Sequence, residues 1–314
     1  MKDLRIIFMG TPGFAVHTLK VLAENNYNIV GVITSPDKPA GRGRKIRESD
    51  VKQYAGSLDL NILQPANLKD PAFLKELEAL KADLQIVVAF RMLPKAVWSM
   101  PKYGTFNLHA SLLPKYRGAA PINWAVINGE TRTGVTTFFL DEKIDTGEII
   151  LQEEVEIKED YNAGDLHDIL MVKGADLVLK TIKMIEADKV ITQPQSSAEI
   201  SPAPKLNKEN TRISWNDPAI HIYNMIRGLS PFPAAWSLLR NDGTDTEIKI
   251  YKTRFTVSEH RLPVGKIITG PKEFKVAVKG GFISILEIKL AGKRKMDAVS
   301  FINGFRFSED AMLH

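Results

Sequence analysis

Asn107 and His109 are the residues of this 314-residue chain whose types and spacing most directly suggest chemistry. They lie two apart in FNLHASLLPKYRGAAP, residues 106–121, so on a strand both side chains point to one face. Asn offers an uncharged N–H donor, and His offers a donor whose charge is tunable near neutral pH. Side by side at the end of a strand, the pair suits stabilisation of a carbonyl oxygen that becomes anionic during acyl transfer. A lone histidine on a strand is more often structural than catalytic; the paired amide is what argues for function. Ser111 is close in sequence, but no second His and carboxylate spacing marks it as a triad nucleophile. The simplest chemistry is direct transfer, in which the acceptor brings its own nucleophile.

Other chemistries lack their residues. The chain has no Cys, which excludes disulfides, thiolate nucleophiles and Cys-based zinc or iron–sulfur sites. Its six histidines show no HExxH or clustered spacing, so no metal is expected. GTPG at 10–13 follows an apolar run but has neither GxGxxG spacing nor the Lys-Ser/Thr of a P-loop. IDTG at 144–147 matches the Asp-Thr-Gly of aspartic proteases, but it occurs once, and that chemistry needs two facing carboxylates. A turn built on Asp-Thr-Gly is the plainer reading.

The elements that must position Asn107 and His109 follow from pattern. RIIFM (5–9) is a continuous apolar run, as expected of a parallel strand buried on both faces. IVGVIT (29–34), NIL (61–63), LQIVVAF (84–90) and GTFNLH (104–109) read as further strands. Helical patterns fall after Gly13 and near 49–57, 71–81, 94–99 and 120–128. The alternation predicts a doubly wound, mostly parallel α/β sheet. Such sheets bind ligands beyond the carboxyl ends of their strands, where Asn107 and His109 fall. TGVTTFFLD and EIILQEEVEI add two strands, and 163–188 a long helix.

Past Gln193 the pattern changes. QPQSSAEISPAPKLNKEN has three prolines and no periodicity, so it reads as a linker. A helix over 218–229 and the short runs IKIYKTRF, GKIITG, FKVAVK and GFISILEIKL then predict a small closed β-barrel. The expected domains are 1–192, a linker at 193–207, and 208–314. From Lys205 onward there are 18 Lys and Arg against 11 Asp and Glu, a balance of +7, so the rest of the chain carries −2 of the net +5. That excess suits a polyanionic partner, or it is a Lys-rich solvated surface. The terminus MKDLRIIFMG is too short an apolar run for a signal peptide and no stretch approaches 18 apolar residues, so a cytoplasmic protein with no membrane contact is expected. Nothing in the sequence suggests more than a monomer.

NLHASLLPKYRGAAPINWA closely resembles the signature of the 10-formyltetrahydrofolate-dependent formyltransferases: an Asn-x-His-x-Ser-Leu-Leu-Pro core, Arg-Gly-Ala-x-Pro and a later Asp-Thr-Gly. RIIFMGTPGFA, SPDKPAGRGRK, LPKAV, TGVTTFFLDEKIDTGEI and KLNKENTRISW are similar to the branch of that family that formylates methionyl initiator tRNA. The likeness spans nearly the whole chain and is weakest after about residue 240. It implies a Rossmann-like catalytic domain, an OB-like C-terminal β-barrel that binds tRNA, and 10-formyltetrahydrofolate as formyl donor.

Carried over by position, the resemblance makes Asn107, His109 and Asp145 the catalytic trio, with Asp145 orienting His109, balancing its charge or relaying a proton. It places Ser111, Leu112, Leu113 and Pro114 in a folate-contacting turn. It assigns KPAGRGRK to a loop at the tRNA acceptor end, with Lys38, Arg42, Arg44 and Lys45 as contacts. Phe90, Arg91 and Met92 are expected to line the pterin pocket. There the chain departs from the family's Ala-Tyr-Gly-x-x-Leu-Pro, being one residue shorter and lacking the Gly. Arg117 keeps two readings: steering a negative group, or tying the loop to an acidic neighbour.

Overall fold

The computed structural model describes residues 3–40 and 45–314. The chain forms two compact units. The first comprises the chain through Gly118, Arg132–Glu156 and His167–Pro202; the second comprises Ala119–Thr131, Ile157–Leu166 and Ala203–His314.

The first unit is built on strands β1 (Ile6–Gly10), β2 (Ile29–Ile33), β5 (Ile62–Leu63), β6 (Leu84–Val88) and β7 (Thr105–His109). Helices α1 (Gly13–Glu24), α2 (Asp50–Ser57), α3 (Pro71–Ala79) and α4 (Lys95–Trp98) lie between them, and β3 (Lys38–Ala40) and β4 (Lys45–Arg47) form a separate antiparallel ribbon. The sheet order is β5-β2-β1-β6-β7, all parallel, extended past β7 by the antiparallel strands Arg132–Phe139 and Ile149–Glu156. This is the mostly parallel, doubly wound sheet expected from the strand–helix alternation. Every residue of β1 and β6 is buried, which is why both strands read as unbroken apolar runs.

Local signals start the helices. Ser49 Oγ accepts from the Lys52 N–H to cap α2, and Asp70, ahead of Pro71, accepts from the Ala72 N–H to cap α3. One face of the sheet carries Ile7, Met9, Ile33 and Val87 into a core shared with Phe73 and Leu77 of α3 and Val97 of α4. Asn107 is the register partner of Val87, so it projects to that same face. Leu108 points the other way, onto the helix Ala163–Glu186. A Cβ on Gly174 of that helix would stand 2.7 Å from the Leu108 side chain.

The second unit is an antiparallel sheet in the order Ile267–Gly270, Glu273–Val278, Gly281–Leu290, Thr244–Val257, Ala235–Asn241, Met312–Leu313. Its end strands meet through a Lys266–Met312 bridge, with the Leu313 N–H donating to Gly265 C=O at 2.9 Å, so the sheet closes as the expected small barrel. Helix Ala219–Leu229 contributes Ile222, Ile226 and Leu229 to its core. Among the described residues, no helix is long and apolar enough to cross a membrane.

Gly10 ends β1 against α1 and β6: a Cβ there would lie 2.6 Å from the Ala15 Cβ and 3.1 Å from the Val88 carbonyl. Gly10→Ala is expected to destabilise the first unit by about 1–3 kcal/mol through overpacking, read as a lower midpoint in urea unfolding.

Candidate active site

β7 ends in His109, 6% exposed, two residues after the half-buried Asn107. Among the described residues the Asn107 side-chain amide has no hydrogen-bond partner. His109 Nε2 lies 2.8 Å from the Tyr116 carbonyl oxygen. A ring nitrogen at that distance from a carbonyl must donate, so Nε2 carries a proton and Nδ1 is the nitrogen left for chemistry. Nδ1 faces Asp145 Oδ2 at 3.8 Å, and that oxygen accepts from the Gly118 N–H at 2.9 Å. The structure therefore brings His109 and Asp145 together and sets Asn107 on the same strand face.

The turn after β7 is pinned from below. Thr136, the register partner of His109, donates its hydroxyl to Ser111 C=O at 2.6 Å and accepts from the Leu113 N–H at 3.2 Å and from Gln152 Nε2 at 2.9 Å. Gln152 also donates to Leu113 C=O at 2.9 Å. Ser111 is buried and its hydroxyl donates to Lys115 C=O at 2.6 Å, so it offers no nucleophile. Leu113 is buried as well. Leu112 packs over Gly134, and Leu112 and Pro114 keep partial exposure.

The segment after β6 opens with Ala89 in the left-handed region at φ 49°. Phe90 packs on the apolar core, and Arg91 reaches across to the carbonyls of Pro65 and Ala66. Partial burial lowers the Arg91 pKa from its ordinary value. Its head group is thus spent on main chain, whereas Met92 is 67% exposed.

Lys38 is exposed on the β3–β4 ribbon, where it pairs with Arg47. The ribbon's root is held by Asp37, whose carboxylate accepts from Lys52 and from Gln64 Nε2 at 2.8 Å; the Lys52 bond lowers the Asp37 pKa. Arg42 and Arg44 lie outside the described residues, as does the side chain of Lys45.

Among the described residues Arg117 has no acidic neighbour of the kind expected. Its Nε and Nη2 donate to Gln195 Oε1 at 3.0 and 2.6 Å, an amide rather than an acid. Gln195 falls in the stretch whose composition reads as a linker, but its residues 193–202 are built into the first unit. Gln193 pairs with Ile149 through both main-chain groups, and Ser201 Oγ accepts from the Tyr116 N–H at 3.0 Å.

Residues 4–182 match the family described as "Formyl transferase", and residues 205–306 match its C-terminal domain. The chain is 56% identical to methionyl-tRNA formyltransferase of Flavobacterium johnsoniae over 315 residues, covering all of both chains. The protein of the same name from Bacteroides thetaiotaomicron is 55% identical over 98% of each chain. The chain belongs to the formyltransferase family. A solved structure with the same fold is an N-formyltransferase of Helicobacter canadensis in complex with folinic acid and dTDP-3-aminofucose. It has a TM-score of 0.67 and 22% identity, over 93% of this chain and 100% of that one.

Ser111, buried and bonded, leaves the direct transfer expected from the sequence without a competing nucleophile at that turn. Among the described residues, no cluster of His, Asp and Glu could hold a metal. Sequence reasoning missed Thr136, Gln152 and Gln195, which hold the crevice by contacts to main chain. Thr136 was open to inference from its place in TGVTTFFLD, where a threonine paired opposite His109 faces the same side; Gln195 left no such signal. Thr136→Val, nearly isosteric, strands the Ser111 carbonyl, the Leu113 N–H and the Gln152 amide. It is expected to cost about 2–3 kcal/mol, measured as a lowered thermal midpoint.

Proposed function

We propose that this formyltransferase moves the formyl group of 10-formyltetrahydrofolate onto the α-amino group of methionyl initiator tRNA, with Asn107, His109 and Asp145 as its catalytic groups. One observation carries the chemistry: an uncommitted Asn107 amide shares a strand face with a histidine whose free nitrogen faces a carboxylate 3.8 Å away. The acceptor comes from the full-length likeness to relatives named methionyl-tRNA formyltransferase.

The amine nitrogen attacks the formyl carbon and the carbonyl oxygen becomes anionic. Asn107 N–H and His109 Nδ1–H donate to that oxygen, and when both ring nitrogens of His109 carry protons, Asp145 balances the charge. The bond from carbon to folate N10 then breaks. The amine has lost a proton and N10 gains one, so the products are N-formylmethionyl-tRNA and tetrahydrofolate. Asp145 and His109 lie where they can carry that proton.

The residues present suit a flat pterin. Met92 and Ile144 are apolar yet 67% and 61% exposed, in the loops that follow β6 and the strand Arg132–Phe139. Exposed apolar side chains in loops that follow neighbouring strands suit the face of an aromatic ring. The SLLP turn, with Phe90 and Met92, is assigned to the folate, and Arg91 serves by holding its segment in place.

The tRNA is assigned to the basic excess after Lys205 and to Lys38, Arg42, Arg44 and Lys45 around the β3–β4 ribbon. Arg42 is the proposed close contact, since a guanidinium makes two directed hydrogen bonds where lysine makes a point contact.

The deciding assay is formyl transfer from 10-formyltetrahydrofolate to charged initiator tRNA, run beside uncharged and elongator tRNAs. Only the charged initiator is expected to react efficiently. Asn107→Ala and His109→Ala are each expected to lower turnover by roughly 10²–10³ with little loss of tRNA binding. Asp145→Ala should be comparably damaging, and turnover within a few-fold of the parent in the first two variants rejects their assignment. Affinity for tRNA is expected to fall linearly on a plot of log K against log salt, and Arg42→Ala to slow formylation at low tRNA concentration while folate binding stays unchanged.

A further inference from the structure

We infer that Gln195 is a positioning residue of the transfer site: it fixes the loop that carries Asp145, and through that loop the separation of the Asp145 carboxylate from His109. The inference rests on the reading above that Asp145 takes part in the reaction.

A glutamine amide has two N–H donors and an oxygen with two lone pairs, and Gln195 uses all four. Nε2 donates to the carbonyls of Asp145, at 2.9 Å, and Gly147, at 2.8 Å. Oε1 takes both bonds from Arg117. Gln195 thus ties the main chain of the Asp145 loop to the residue just before Gly118, whose N–H holds the Asp145 carboxylate. Asp145 is gripped twice by one dipeptide, directly at its carboxylate and through Gln195 at its backbone.

The loop needs that grip. Asp141, Glu142, Lys143 and Ile144 are exposed. The hydrogen bonds of Asp141, to Thr146 Oγ1 at 2.7 and 2.9 Å and to the Lys143 N–H at 2.9 Å, stay within the loop. The Lys95–Glu142 ion pair is exposed and contributes little. Asp145 itself has φ 54°, a left-handed turn conformation that Asp adopts more readily than most residues. Without Gln195 the backbone at 145 can relax, and the carboxylate leaves its place opposite Nδ1.

The test is Gln195→Glu in the full chain. An ionised Glu keeps the oxygen that Arg117 needs but has no N–H for the two carbonyls. The expected result is turnover about 10–100-fold lower with KM for both substrates nearly unchanged. In an Asp145→Asn background the same change should cost less than about twofold, because the two residues act as one unit. A fully multiplicative loss, or a Gln195→Glu enzyme within about twofold of the parent, overturns the inference. Amide hydrogen exchange adds a readout that needs no substrate: residues 141–148 are expected to exchange faster in Gln195→Glu, and unchanged exchange also overturns the inference. Gln195→Met, which lacks every donor and acceptor, gives the same exchange readout if the Glu variant does not fold. A parent inactive on methionyl-tRNA would remove the functional reading, while the exchange measurement still decides what Gln195 does.

Discussion

The site depends on one tripeptide, Tyr116-Arg117-Gly118. The carbonyl of Tyr116 accepts a hydrogen bond from His109 Nε2–H, and the N–H of Gly118 donates to the Asp145 carboxylate. The side chain of Arg117, between them, holds Gln195. Main-chain groups cannot choose another rotamer, so anchoring both titratable residues on consecutive peptide units fixes their relative position more firmly than side-chain partners would. The tripeptide bends sharply to do this, with φ 61° at Tyr116 and 124° at Gly118. Glycine takes such an angle freely, but tyrosine does so at a cost of order 1–3 kcal/mol. Burial of the Tyr116 ring, 3% exposed, returns a comparable amount, and the bond from its N–H to Ser201 Oγ adds to it.

That arrangement also decides which ring nitrogen of His109 is left free of the main chain. With Nε2 committed to a carbonyl, the imidazole cannot turn over without leaving a buried acceptor unpaired. Nδ1 is presented whatever else binds. The strand pairing does the same for direction: His109 opposite Thr136 and Asn107 opposite Phe138 keep both polar side chains on the face away from the long helix, where Leu108 and Thr137 point. A one-residue slip of β7 would turn the amide and imidazole toward the long helix and put Leu108 on the opposite face, so the register sets where the proposed catalytic groups lie.

Much of this was legible in the chain. β1 and β6 announce themselves because both faces are buried, and Asn107 and His109 by strand parity. The strand Ala235–Asn241 was not read, because its polarity is inverted. Ser237 points inward, accepting from Trp215 Nε1 at 2.8 Å, while Trp236 stays partly exposed beneath Lys208 and Arg212, 5.0 and 5.4 Å from its ring. The β3–β4 ribbon was read as a loop, since Lys, Pro, Arg and Gly carry no strand signal. The helix Ala298–Gly304 was passed over although Asp297 caps it through the Ser300 N–H. The residues around Gln195 read as a linker for a different reason. Their contacts are to carbonyls and N–H groups, and main-chain hydrogen bonding leaves no trace in composition.

Hydrogen-bond saturation separates the scaffold of this crevice from its chemistry. Thr136 spends its one donor and both acceptor positions on the turn and Gln152. Gln152 spends both N–H groups, Ser111 its hydroxyl proton, and Gln195 its whole amide. None of them has a hydrogen-bond donor left for a substrate. Two groups stay uncommitted: the Asn107 amide, partly exposed, and His109 Nδ1, too far from Asp145 for a hydrogen bond yet near enough to feel its charge. The open Asn107 amide on a braced strand is the feature the proposed oxyanion role rests on, because a donor fixed beforehand needs no reorganisation when charge forms.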